Sequence, residues 1–161
     1  LEELGLHLDS APEAPVLAAQ LSLTHLSAAF RVVQDTSAES DPLMFVMVLP
    51  IRVPENRRAA MAETLLRINY QLRLGTFEMD FDDGELRFRV ALVLGEHVPD
   101  REEVGRWLLL VSAMVDGFFP VFAAVMYGTL SPRQAVEQGE AHVAALMRQR
   151  ESAAGDADDD G

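Results

Sequence analysis

The chain has 161 residues, 49% of them hydrophobic, with a formal charge of -13, which suits one domain with a buried core and is too short for two. So negative a chain, without clustered basic residues, argues against direct binding to nucleic acid or to an anionic membrane surface, since both require a basic patch. There is no cysteine, so disulfides, thiolate chemistry and cysteine-based zinc sites are excluded, and the cytoplasm is the expected location.

Residues 1–6 read as the tail of a helix, and residues 9–15 are turn-rich, with Pro12 and Pro15 among them. Leu17, Ala19, Leu21 and Leu23 then alternate as on one strand face. A second strand over residues 29–34 puts Phe30 and Val32 on one side, although so Ala- and Leu-rich a stretch also fits a helix. Residues 37–42 are a polar loop. Residues 43–49 are apolar on both faces, as in a central strand covered on two sides or one whose second face meets another subunit. Pro50 is expected to end that strand, and Pro54 suits the first turn of the next helix. There Met61, Leu65, Ile68 and Leu72 recur at helical spacing and should lie on the sheet, with Arg57, Arg58 and Arg67 on more exposed positions. Asn69 is close to that stripe and is expected to bond neighbouring backbone near the helix end.

Residues 68–94 most nearly dictate their own conformation. A two-residue type I′ turn at Asp83-Gly84 predicts a hairpin in which Phe81 faces Leu86, Met79 faces Phe88 and Phe77 faces Val90. On the other face Asp80 would pair with Arg87 and Glu78 with Arg89. A slip of one residue would set Phe against Arg throughout, so turn and alternation support each other. All basic residues are Arg and none is Lys, as codon bias in a GC-rich genome would give. Only at Arg87 and Arg89 does this register suggest Arg chosen for forked carboxylate contacts.

Asp100, with Glu103 three residues on, forms a capping-box signature for the next helix. Residues 107–128 are apolar nearly all round, as in a helix buried on most sides or lying in a membrane. Asp116 beside Gly117, a kink at Pro120 and the need of the preceding elements for cover favour the core helix, and no membrane association is expected. The Asp116 carboxylate is expected to bond backbone or an Arg. Ser131-Pro132 with Gln134 starts a last helix to about residue 150, with a sparse stripe in Val136, Val143 and Leu146 or Met147. Residues 151–161 are acidic and read as a disordered tail.

Asn69, then Gly75-x-Phe77-x-x-Asp80, then Asp83-Gly84-Glu85-x-Arg87-Phe88-Arg89 resembles the signature of the YbjN-like family, small bacterial proteins similar in fold to type III secretion chaperones. The resemblance covers about residues 53–128. It implies an α+β fold, an antiparallel sheet of about five strands with helices packed on it. Residues 1–150 would form the one domain, with a first helix largely upstream of residue 1. It also implies a dimer that acts on other proteins as a chaperone-like or regulatory module.

Motifs for chemistry are thin. Asp156, Asp158, Asp160 and Gly161 open like an EF-hand loop but stop before its later ligands. The four histidines, His7, His25, His97 and His142, stand at no metal-ligand spacing, and there is no phosphate-binding glycine loop or nucleophile elbow. No catalytic residue, metal or cofactor is therefore expected. The seven methionines fill core gaps or, at an exposed groove, suit an adaptable binding surface. The first functional expectation is an acidic homodimer that holds a partner protein. Its interface is drawn from the two apolar stretches: Phe45, Met47 and Leu49, with Trp107, Leu110, Met114, Phe118 and Phe122. A sensory or stress regulator that sequesters a signalling protein would look the same, and a small enzyme built on carboxylates such as Asp80 and Asp116 is the alternative from another class.

Overall fold

The computed structural model describes residues 7–11, 14–34, 42–94, 97, 99–139 and 141, with side chains from residue 18 onward. The expectations for residues 1–6, Pro12, residues 37–41, His142, Val143, Leu146, Met147 and the acidic tail fall outside them. Eight elements follow in order: strands β1 (His7–Ala11), β2 (Ala14–Ser22), β3 (Ser27–Gln34) and β4 (Leu43–Arg52), helix α1 (Glu55–Gln71), strands β5 (Thr76–Met79) and β6 (Glu85–Leu92), and helix α2 (Arg101–Met126). Residues 132–139 form a third helix, α3. The α+β class and the antiparallel sheet with helices packed on it are as read from the sequence. The sheet has six strands, in the order β1-β2-β3-β4-β6-β5.

Two prolines misled the strand boundaries. The turn expected over residues 9–15 is mostly strand, with Ser10 opposite Pro15 and only residues 12–13 between β1 and β2. Pro50 does not end β4, which runs on to Arg52. The register against β6 shifts between Val48 and Arg52, so Pro50 sits at an irregularity where no ladder donor is required.

One face of the sheet carries the core. Phe30, Phe45, Met47, Leu49, Phe77, Leu86, Phe88 and Val90 are buried against Met61, Leu65 and Ile68 of α1 and Val111, Val115, Phe118 and Phe122 of α2. The α1 stripe is thus where its spacing put it, with Leu72 at the C-cap. Thr64 is buried too, its hydroxyl donating to the Ala60 carbonyl at 2.8 Å. Both expected caps are present: Asp100 accepts from the Glu103 N–H at 2.8 Å, and the Ser131 N–H donates to the Gln134 side chain at 3.1 Å. Helix α2 continues through Pro120. It is long and apolar enough to cross a membrane, yet 61% of its most apolar stretch is buried within the chain, where it covers the sheet.

The hairpin register differs from expectation by two residues. Phe77 faces Phe88, Glu78 faces Arg87 and Met79 faces Leu86. An even shift leaves every side chain on its expected face, so alternation could not distinguish the two registers. Turn chemistry decides between them. A type I′ turn needs positive φ at both central residues, but only Gly84 takes it, at 77°. Asp80 instead accepts the Asp82 N–H on its Oδ1 at 2.8 Å, and Asp83 accepts the Glu85 N–H at 2.8 Å, which winds residues 81–84 into a longer turn. The turn is also tied to the start of α1. The Val53 N–H donates to the Gly84 carbonyl at 2.8 Å, and the Arg58 guanidinium donates to the carbonyls of Phe81 and Asp82 at 2.8 and 3.2 Å. Phe81 is left 57% exposed in the turn and does not face Leu86.

A Cβ on Gly84 would lie 2.2 Å from the Val53 carbonyl oxygen, and the left-handed backbone adds its own strain. Gly84→Ala should therefore cost at least about 1–2 kcal/mol. Urea titration should show the midpoint falling with little change in slope. An unmoved midpoint would mean that the turn is not fastened to Val53.

Candidate functional site

With the helices α1, α2 and α3 on one side, strand alternation leaves a second sheet face that no described residue covers. Along β4 the side chains of Phe45, Met47 and Leu49 point into the core, and those of Met44, Val46 and Val48 point away from it. Pairing extends this face in rows. Val33, Met44 and Ala91 form one row, Arg31, Val46 and Arg89 the next, and Ala29, Val48 and Arg87 the third. Met44, Val46, Val48 and Val33 are partly exposed and belong to no part of the core cluster. At the far side Glu78 bridges both guanidinia. Its Oε2 accepts from Arg87 at 2.7 Å and its Oε1 from Arg89, and Arg89 also lies 3.9 Å from the Met44 sulfur. Burial pushes the Glu78 carboxyl up, but the Arg89 and Arg87 hydrogen bonds outweigh it and hold the group below its ordinary value. The Asp80–Arg87 pair expected from the sequence is absent, because the two-residue register shift gives Arg87 to Glu78.

This placement redraws the expected contact surface. Phe45, Met47, Leu49, Met114, Phe118 and Phe122 lie inside the single chain, and Trp107 and Leu110 are half-buried beside them. The side chains of residues 43–49 that lie outside the core are those of Met44, Val46 and Val48.

Of the hairpin signature, Asn69 has an unforeseen partner. Its Nδ2 donates to the Phe77 carbonyl at 2.8 Å and its Oδ1 accepts the Phe77 N–H at 2.9 Å, so it bonds an edge strand and not its own helix end. Gly75, at φ 76°, passes beneath Phe88, where a Cβ would meet the ring at 2.4 Å.

Asp116 is 4% exposed and bonds across the chain to the β2–β3 turn. Its Oδ1 accepts the His25 N–H at 2.8 Å and lies 3.1 Å from His25 Nδ1. No Arg is involved. Beside it a crevice of about 460 Å³ is walled by Leu21, Leu23, Leu108 and Leu109, with Ser112 and Asp116 also lining it. Desolvation raises the Asp116 carboxyl, but bonds from the His25 backbone, the Thr24 hydroxyl and the His25 ring bring it below its ordinary value. His25 was invisible as a partner because 91 residues separate the two. Asp80, bonded within its own turn, comes nowhere into this group. His97 pairs with Glu103 at 2.9 Å at the start of α2. Among the described residues no three His, Asp or Glu side chains converge to hold a metal ion.

A groove of about 740 Å³ lies between α1 and α3, lined by Glu63, Leu66, Arg67, Tyr70, Gln71, Arg133, Val136 and Glu137. Leu66 is 71% and Tyr70 93% exposed there.

A family model described as "putative bacterial sensory transduction regulator", YbjN, matches residues 16–124, the whole span from β2 to the last turn of α2. The chain belongs to the YbjN family. No curated protein matches it. The family is described as a regulator. In this YbjN-family chain the signature residues Asn69, Gly75 and Gly84 shape the hairpin that borders the uncovered face.

The depressed Asp116 carboxyl carries a pH dependence. A group whose pKa falls on folding contributes stability above its unfolded value and loses it as the pH drops through the folded value. Wild type should therefore weaken as the pH falls below about 4. Asp116→Ala, which leaves the His25 and Thr24 donors without their acceptor, should lose roughly 1–3 kcal/mol at neutral pH and show a smaller further loss in acid. Urea melts at both pH values measure this, and equal acid losses in the two proteins would sink the assignment.

Proposed function

We propose that this YbjN-family chain is a non-enzymatic regulatory module that holds a partner polypeptide on its uncovered sheet face, in the cytoplasm and as a homodimer. The observation that carries the reading is the file of partly exposed apolar side chains Met44, Val46 and Val48, on the central strand and outside the core. No described residue packs on that face, and contiguous apolar surface rimmed by charge is the mark of an interaction site. The same surface would serve a chaperone that shields a partner or a regulator that sequesters one, and the family description favours the regulator. A carboxylate enzyme has less behind it, since Asp80 and Asp116 are bonded to separate turns.

For the homodimer the groove between α1 and α3 is the better surface. It joins exposed Leu66 and Tyr70 to both signs of charge, Glu63 and Glu137 with Arg67 and Arg133, and a two-fold interface requires one patch that complements itself. Light scattering at micromolar concentration should give twice the chain mass, and Leu66→Asp should return it to one. Monomer mass for the wild type would remove the dimer from the proposal. Affinity capture with the whole chain as bait should retain a partner that Val46→Asp bait does not. Equal recovery on both baits, or none on either, would count against the sheet face as the binding surface.

A further inference from the structure

Met44, Val46 and Val48 run in single file down the centre of the uncovered face, with Arg31 on one flank and Arg89 and Arg87 on the other. Resting on the binding role proposed above, we infer that this face takes an amphipathic helix of another protein, one whose apolar stripe is flanked by carboxylates.

Backbone geometry favours a helix over an added strand. Strand β4 is already paired on both sides, to β3 and β6, so it has no free peptide groups to offer. At the β5 edge the outward N–H and carbonyl of Phe77 are taken by Asn69. What β4 presents is side chains about 6.6 Å apart, close to the roughly 5–6 Å between neighbours three and four apart on a helix. A helix lying along the file can seat one apolar residue beside each of the three.

Charge selects the flanks. Glu78 is one carboxylate serving two guanidinia, Arg87 and Arg89, and Arg31 is exposed with no ion pair among the described residues. The face is therefore locally cationic in a chain of net charge -13. A second copy laid face to face would set guanidinium against guanidinium. Glu or Asp beside an apolar stripe meets Arg31 with a carboxylate and can share Arg89, where planar forked contacts are favoured.

The test uses two synthetic helical peptides of about four turns, identical in a Leu stripe and differing only in Glu or Lys on both flanks. Fluorescence anisotropy at about 0.15 M salt, where distant charges are screened beyond about 8 Å, should show the Glu peptide binding wild type at least about tenfold more tightly. Arg31→Glu should reverse that preference, and Val46→Asp should weaken the Glu peptide at least about tenfold. Arg31 is exposed, so its variant keeps the fold and the test stands even if Val46→Asp does not fold. A Lys peptide that binds as well or better, as overall charge alone would have it, overturns the inference. So does Glu-peptide binding that survives Arg31→Glu, or the failure of both peptides to bind. Loss of binding on Tyr70→Ala in place of Arg31→Glu also overturns it, moving the site to the α1–α3 groove. A dimer that Val46→Asp splits would show a second copy on the face and overturn it too. In these cases the binding role itself is judged separately, by capture with the whole chain.

Discussion

Phe77 is held from three directions at once. Its ring lies 4.6 Å from that of Phe88 on β6 and 5.4 and 5.0 Å from Phe118 and Phe122 on α2, while its backbone N–H and carbonyl are both bonded to the Asn69 side chain on α1. One residue of a four-residue edge strand thus ties α1, α2 and the sheet together. Tilted and edge-on aromatic contacts add to simple burial, and the paired amide bonds satisfy an edge that would otherwise be open to another chain. The sheet can end at β5 because a helix side chain takes the place of the next strand.

That fastening has a consequence for the far side of the sheet. The buried aromatics of the sheet, Phe30, Phe45, Phe77 and Phe88, are all drawn to the face that the helices cover. Period-two alternation then commits their neighbours Arg31, Met44, Val46, Arg87 and Arg89 to the opposite face. Tight packing on one side and an apolar file that no described residue covers on the other are two results of one pattern. The carboxylate of Glu78, held ionised by Arg89 and Arg87, keeps the border of that face ordered without neutralising it.

The sequence made sidedness legible and distance illegible. Spacing found α1 with its stripe of Met61, Leu65 and Ile68, and the caps at Asp100 and Ser131, because helix periodicity and capping are local. Alternation found which side of the hairpin Phe77 and Phe88 occupy. It could not find the register, since a shift of two preserves both faces and the choice was made by Asp80, Asp83 and the distant Val53 and Arg58. Pro50 looked like a terminator because its missing donor matters only where the ladder is regular. The contact between Asp116 and His25 joins α2 to a turn 91 residues earlier, and nothing in residue spacing announces it. The expected interface residues lie on the helix-covered side for a related reason: a strand apolar on both faces does not say which set meets the chain's own helices.

The remaining question is how an acidic molecule could receive an acidic helix. Charge at long range and charge at contact obey different rules. At physiological salt the field of the whole chain fades over about 8 Å, so a net charge of -13 acts mainly on the rate of approach. Once a helix is seated, its flanking carboxylates feel Arg31 and Arg89 at hydrogen-bonding range, partly desolvated beside Val46, where the interaction is stronger than in water. The distribution would then slow encounter with acidic partners in general while rewarding the one whose apolar stripe fits between the arginines. Basic sequences would be drawn to the acidic surface but find like charge at the face. Selectivity of that kind arises from local complementarity set against an opposing global charge.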